Sequence, residues 1–198
     1  MKNLIHYFKA QFVPIYGLIL LRHRAITQMV GNNLPTWSTT MGVYFSLLSI
    51  SLYVYSLIVR FHLNEGEPTL VSMGLFQTIY VFVLAAMFQA SFSLLGSTRS
   101  YVVNLKLTFL FIGMLYLLNS FIGLPFQIYF EQGGSRFITF IASMLIVAWV
   151  LRCWYVIAEF NGLISKTAKV MSLVAISLLH LVASFIFAVI VPYFVNIT

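Results

Sequence analysis

Apolar residues run along this chain in long blocks, not in the short alternations of a water-soluble fold. Five blocks are predicted to be membrane-crossing helices, at about 38–59, 71–95, 107–124, 137–157 and 170–194. Each is long enough for a hydrocarbon core of about 30 Å, the third being the shortest. Between them lie Phe61-His-Leu-Asn-Glu-Gly-Glu-Pro68, Gly96-Ser-Thr-Arg-Ser100, Pro125 to Arg136 with Gly133-Gly134, and Glu159 to Lys169. All four have turn compositions. The pattern predicts an all-α polytopic membrane protein, its five spans forming one membrane domain over residues 36–198.

The first 35 residues follow a different pattern. Leu4, Ile5, Phe8, Phe12, Ile15 and Ile19 recur at roughly helical spacing, with Lys2, Asn3, His6, Lys9 and Gln11 on other faces. The apolar run 12–21 gives only about 15 Å of helix, too short to span. Arg22-His-Arg24 stands where a signal peptide would carry small residues for cleavage. Residues 1–35 are therefore expected to be an amphipathic, interfacial cytoplasmic segment. Its Lys2, Lys9, Arg22 and Arg24 would meet anionic lipid or a partner protein. Gly31-Asn-Asn-Leu-Pro35 ends it, and Trp37 marks the interface.

Composition changes the picture only by excluding. With 61% hydrophobic and 8% charged residues, the chain has far fewer charges than the quarter or so of a soluble protein. A net charge of +7 would suggest nucleic acid in a soluble chain, but here the basic residues sit at span ends, so no nucleic-acid partner is expected. Lys2, Lys9, Arg22, Arg24, Arg99, Lys106, Arg152, Lys166 and Lys169 fall on one side, nine of the eleven basic residues. Arg60 and Arg136 fall on the other, with Glu65, Glu67 and Glu131. That bias predicts a cytoplasmic N-terminus and a C-terminus across the membrane.

Helices in lipid gain nothing by hiding apolar surface from apolar surface, so close contact is expected at small residues. Gly42, Ser46, Ser49 and Ser56 share a face of the first span, Ala86 and Ala90 flank Gln89 on the second, and Ser177, Ser184 and Ala188 align with His180 on the fifth. These stripes predict a compact bundle. His180, Asn119, Gln77 and Gln89 are candidates for a shared polar interior. No span interior carries an acidic residue, and the chain has no Asp, so a metal site or carboxylate proton relay is not expected.

Residues 149–169 concentrate the remaining chemistry: two of the three tryptophans, the single cysteine Cys153, Arg152 and Glu159. Arg152 either snorkels to the headgroups, pairs with Glu159 seven residues on, or shares a lipid phosphate with Lys166 and Lys169. Cys153 reads as a small hydrophobe. No nucleophile elbow, zinc-protease helix or phosphate loop occurs, so neither an enzyme nor a cofactor is expected.

Three stretches resemble the Yip family of Rab-interacting five-span membrane proteins. They are Leu21-Arg-His-Arg-Ala-Ile-Thr-Gln-Met-Val30; Met87 to Tyr101 with the following span closing on Gly123-Leu-Pro125; and Trp149 to Lys169, with Ser165-Lys-Thr-Ala168 as its re-entry. The resemblance implies five spans and an external C-terminus. Eukaryotic members carry a long soluble N-terminal region, whereas about 35 residues precede the spans here. A prokaryotic-type, bacterial inner-membrane relative is therefore implied, and no catalytic residues carry over. The resulting expectation is a non-catalytic scaffold or accessory subunit contacting lipids and other integral membrane proteins. The alternative is a permeation or transport subunit with His180 and Asn119 lining a polar cavity.

Overall fold

The computed structural model describes residues 36–62 and 70–195. The N-terminal segment, with Lys2, Lys9, Arg22 and Arg24, lies outside the described residues, as do Glu65 and Glu67. Among the described residues all regular structure is helical. In chain order the helices are α1 (Trp37–His62), α2 (Leu70–Leu94), α3 (Tyr101–Leu118), a π-helical turn (Asn119–Gly123), α4 (Leu124–Glu131), α5 (Arg136–Phe160) and α6 (Lys166–Val195). Four stretches are long and apolar enough to cross a membrane: Trp37–Ile58, Met73–Leu94, Tyr101–Glu131 and Arg136–Phe160.

The third of these corrects the sequence reading, which ended a span at 124 and assigned Pro125 to a turn. Helix continues through Pro125 to Glu131, 31 residues in all. Proline breaks an α-helix because it lacks the N–H and its ring meets the carbonyl four residues back. Here the backbone shifts register first, the Leu124 N–H bonding the Asn119 carbonyl five residues back. Such a π-turn lets the ring pass without ending the helix. The span also starts earlier than expected, at Tyr101, which puts Asn104 and Lys106 inside the helix.

α3 is the centre of the bundle. Ten of its residues, Asn104, Leu105 and Leu107 to Met114, are buried. It packs against α1, α2 and α5. α1 lies beside it in the same direction, with Trp37 stacked on the Lys106 ammonium near one end and Ser51 bonded to Ser120 and the Tyr116 carbonyl further along. Aromatic rings fill the middle. Phe109 meets Tyr44 at 4.8 Å and Phe82 at 5.4 Å, while Trp154 meets Phe88 at 4.9 Å and stacks on Phe92 at 5.1 Å. Trp149 stacks on Phe111.

The small-residue stripes do not make this packing. Gly42, Ser46, Ser49, Ala86, Ala90 and Ser177 are exposed, and the buried face of α1 is Thr40, Val43, Tyr44, Leu47, Leu48 and Ser51. Ser46 and Ser177 each donate to the carbonyl four residues back, so their hydroxyls are satisfied on an outer face. Interdigitated aromatic and branched side chains supply the dispersion contacts instead.

Candidate functional site at the two-turn end

The α2–α3 and α5–α6 turns come together at one end of the bundle. Both are set by glycine. Gly96 and Gly162 have φ of +89° and +86°, a left-handed conformation that costs glycine least. After each, an amide reaches back to close the helix, Ser97 to the Phe92 carbonyl and Leu163 to the Ala158 carbonyl. The two loops are thus short and fixed.

A chain of side-chain amides ties them together. Gln89 on α2 accepts from Asn104 Nδ2 at 2.7 Å, and Asn104 Oδ1 accepts from Asn161 Nδ2 at 2.9 Å. Ser97 then donates to Asn161 Oδ1 at 3.2 Å, bringing the α2–α3 turn onto the end of α5. Gln89 Nε2 donates onward to Ser93 Oγ and to the Arg99 carbonyl. Asn104 and Asn161 are almost completely buried, yet both have partners. In a low-dielectric interior a satisfied network of this kind is rigid, and a broken one is costly.

Arg99 covers the junction from outside. Its Nε donates to the Phe160 carbonyl, and its guanidinium lies 4.7 Å over the Phe160 ring. A second cluster binds α6 to α5: Trp154 Nε1 donates to Ser172 Oγ, which donates to the Lys169 carbonyl. Lys169 Nζ meets the Glu159 carboxylate at 2.9 Å and sits 3.8 Å from the Tyr155 ring centroid. Burial disfavours the ammonium, but the bond to Glu159 and the neighbouring Tyr155 outweigh it, so its pKa lies above the ordinary lysine value.

The sequence-expected residues divide between several places. Gln89 belongs to the amide chain. Lys169, expected at lipid headgroups, is instead only 4% exposed, its charge taken up by Glu159 and Tyr155. Arg152 and Lys166 are exposed near this end. Cys153 is buried, as a small hydrophobe would be. Asn119 is exposed, its carboxamide lying against Gly123 on the π-turn. His180 is exposed on α6, its Nδ1 bonded to Tyr80 of α2. Among the described residues no hydrogen bond joins Asn119, His180 and Gln89 to one another: His180 bonds Tyr80, and Gln89 bonds Asn104, Ser93 and the Arg99 carbonyl.

Asn104, Asn161 and Ser97 were missed by the sequence reading. Asn161 was legible only as half of an Asn-Gly turn, and Asn104 fell in what read as a connection. An Asn four residues past the Gly96–Ser100 turn, with Gln89 seven residues before that turn, is the signal the sequence carries.

No protein-family model, curated protein or solved structure matches this chain. The two-turn end offers amides already engaged with one another, a cationic rim and one half-exposed carboxylate. No cluster of three or more metal-ligating side chains occurs among the described residues. Such an end is suited to holding its two turns in a fixed relation and presenting them.

Proposed function

We propose that this chain is a non-catalytic scaffold or accessory subunit of a membrane protein complex. In this reading α6 is a fifth span, the two-turn end and the N-terminus face the cytoplasm, and the C-terminus is periplasmic in a bacterial inner membrane. The Yip-like resemblance remains part of the proposal: its second and third stretches contain Gln89, Ser97, Arg99 and Asn161 of the two-turn end, and Asn104 lies three residues past the second.

The observation that carries the reading is the Gln89–Asn104–Asn161–Ser97 chain, which fuses three helices and two turns into one rigid surface. Rigid presentation of a surface lowers the entropic cost of binding a partner. The basic residues Arg99, Arg152 and Lys166 rim that surface and suit anionic headgroups or an acidic partner. A permeation role lacks comparable support, because His180 and Asn119 have different neighbours.

Deleting residues 1–30 while matching membrane abundance tests the proposal. A scaffold keeps its folded core and loses recovery of a co-purifying subunit after gentle solubilisation. Unchanged recovery, together with solute flux through vesicles containing the purified chain alone, would replace it with transport.

A further inference from the structure

Tyr80 and His180 put a polar pair on the outside of the bundle. Roughly fourteen residues separate each from the two-turn end of its helix, about 21 Å at 1.5 Å per residue, which lies well inside a hydrocarbon core of about 30 Å. Tyr80 Oη lies 2.7 Å from His180 Nδ1, the rings edge to face at 74°. Their surroundings on the outer surface are mostly apolar, with Phe76 and Ile79 on α2 and Leu178 and Leu181 on α6; the exposed Ser177, one turn from His180, donates its hydroxyl proton to the Leu173 carbonyl. No other hydrogen bond from the described residues reaches either side chain.

The hydrogen-bond inventory of this pair is fixed. A neutral imidazole has one N–H and one bare nitrogen, and a phenol has one O–H and an acceptor oxygen. One bond between them leaves one donor and one acceptor whichever tautomer holds. If Tyr80 donates, the Nε2–H and the phenol oxygen are left; if Nδ1–H donates, the phenol O–H and Nε2 are left. Water would fill both positions on a soluble protein. In hydrocarbon an unfilled donor or acceptor is expensive.

We infer that this face is the interface with a second copy of the same chain, an inference that rests on reading α6 as a fifth span. Two copies inserted in the same orientation are related by a two-fold axis along the membrane normal, so each group meets groups at its own depth. Tyr80 and His180 share one depth and together carry one donor and one acceptor that no described residue fills. The pair is therefore self-complementary: the donor of each copy meets the acceptor of the other, giving two reciprocal bonds. An unrelated partner would need both functions at that depth, whereas a second copy already has them. Ala86 and Ala90, exposed on α2, allow the two backbones to come close.

The test uses the full chain in vesicles. In a Cys153→Ala background, oxidative crosslinking of Ile79→Cys should give a disulfide-linked dimer, and Leu145→Cys on the outer face of α5 should not. His180→Phe and Tyr80→Phe, with ring bulk kept, should each weaken self-association by about tenfold, the worth of two interhelical hydrogen bonds in lipid. Single-molecule photobleaching across protein-to-lipid ratios reads that change. A wild-type chain that stays monomeric, Phe variants that associate like wild type, crosslinking at 145 and not at 79, or a crosslink to a chain of different mass would each overturn the inference. A reporter fused after Thr198 is read separately: a cytoplasmic C-terminus removes the five-span reading whatever the crosslinking gives.

Discussion

Asn161 at the end of α5 donates to Asn104 on α3 at 2.9 Å, across 57 residues of sequence, and both carboxamides are buried. That bond decides where the α5–α6 turn sits relative to the α2–α3 turn. It is also a point at which the fold can be broken selectively. Asn104→Ala leaves Gln89 Oε1 without its donor and Asn161 Nδ2 without one of its two acceptors, and should destabilise by about 2–4 kcal/mol. The double variant with Asn161→Ala should lose about 1 kcal/mol less than the sum of the single losses. Reversible unfolding in mixed micelles measures this, and strict additivity would refute the network.

Lys169 and Glu159 are unequal partners, the lysine buried and the carboxylate side chain 40% exposed. Glu159→Gln strands a buried ammonium and should cost about 1–3 kcal/mol, the exposed side limiting the loss. Lys169→Met removes the charge itself and should cost less. Because the Lys169 pKa is raised on folding, its contribution is complete below the unfolded value of about 10.4 and is lost as pH rises through the folded one. Melting curves should show this stabilisation flat from about pH 6 to about pH 9, falling only in stronger alkali, with no such alkaline fall in Lys169→Met.

The two tryptophans of α5 should respond differently to phenylalanine. Trp154 Nε1 donates to Ser172 at 3.0 Å, so Trp154→Phe should cost about 1–2 kcal/mol. Trp149 Nε1 is buried without a partner among the described residues, and phenylalanine can keep the stack on Phe111. Trp149→Phe should cost less than about 1 kcal/mol, since its N–H contributes no bond to lose. Equal losses in thermal unfolding would contradict this assignment.

Glycines at the turns and in the π-turn should separate in the same way. Gly96→Ala and Gly162→Ala force a side chain into positive φ and should each cost about 1 kcal/mol or more. At Gly123 the backbone is helical, and a methyl group meets chiefly the exposed Asn119 carboxamide, which can swing aside. Gly123→Ala should therefore fall within about 0.5 kcal/mol of wild type, helix propensity offsetting the small displacement. Unfolding midpoints of the three variants provide the comparison.

Topology is tested at the C-terminus. A periplasm-active reporter after Thr198 should work and a cytoplasm-active one should be silent, as the bias of nine basic residues to one side predicts. The reverse pattern rules out the five-span arrangement with the N-terminus inside.

By itself the sequence determined the helical class, the length of the apolar helices and the punctuation. Apolar blocks as long as a bilayer core is thick predicted helices able to cross a membrane, four of which the structure shows, and Gly96 and Gly162 marked where two of them stop. It also singled out 149–169, whose Trp149 and Trp154 pack against Phe111, Phe88 and Phe92 and whose Asn161 closes the amide chain. The facing of each helix was decided only by tertiary structure. Spans apolar all round carry no stripe to say which side is inside, so shape and hydrogen bonding choose. Hence the small stripes of α1 and α2 turned outward, and His180 found Tyr80 on an outer face. Asn104 and Asn161 met although each alone looked like an ordinary turn residue. The passage of helix through Pro125 was hidden for a related reason: a register shift of one residue is a property of the backbone in its packed setting, and no residue type announces it.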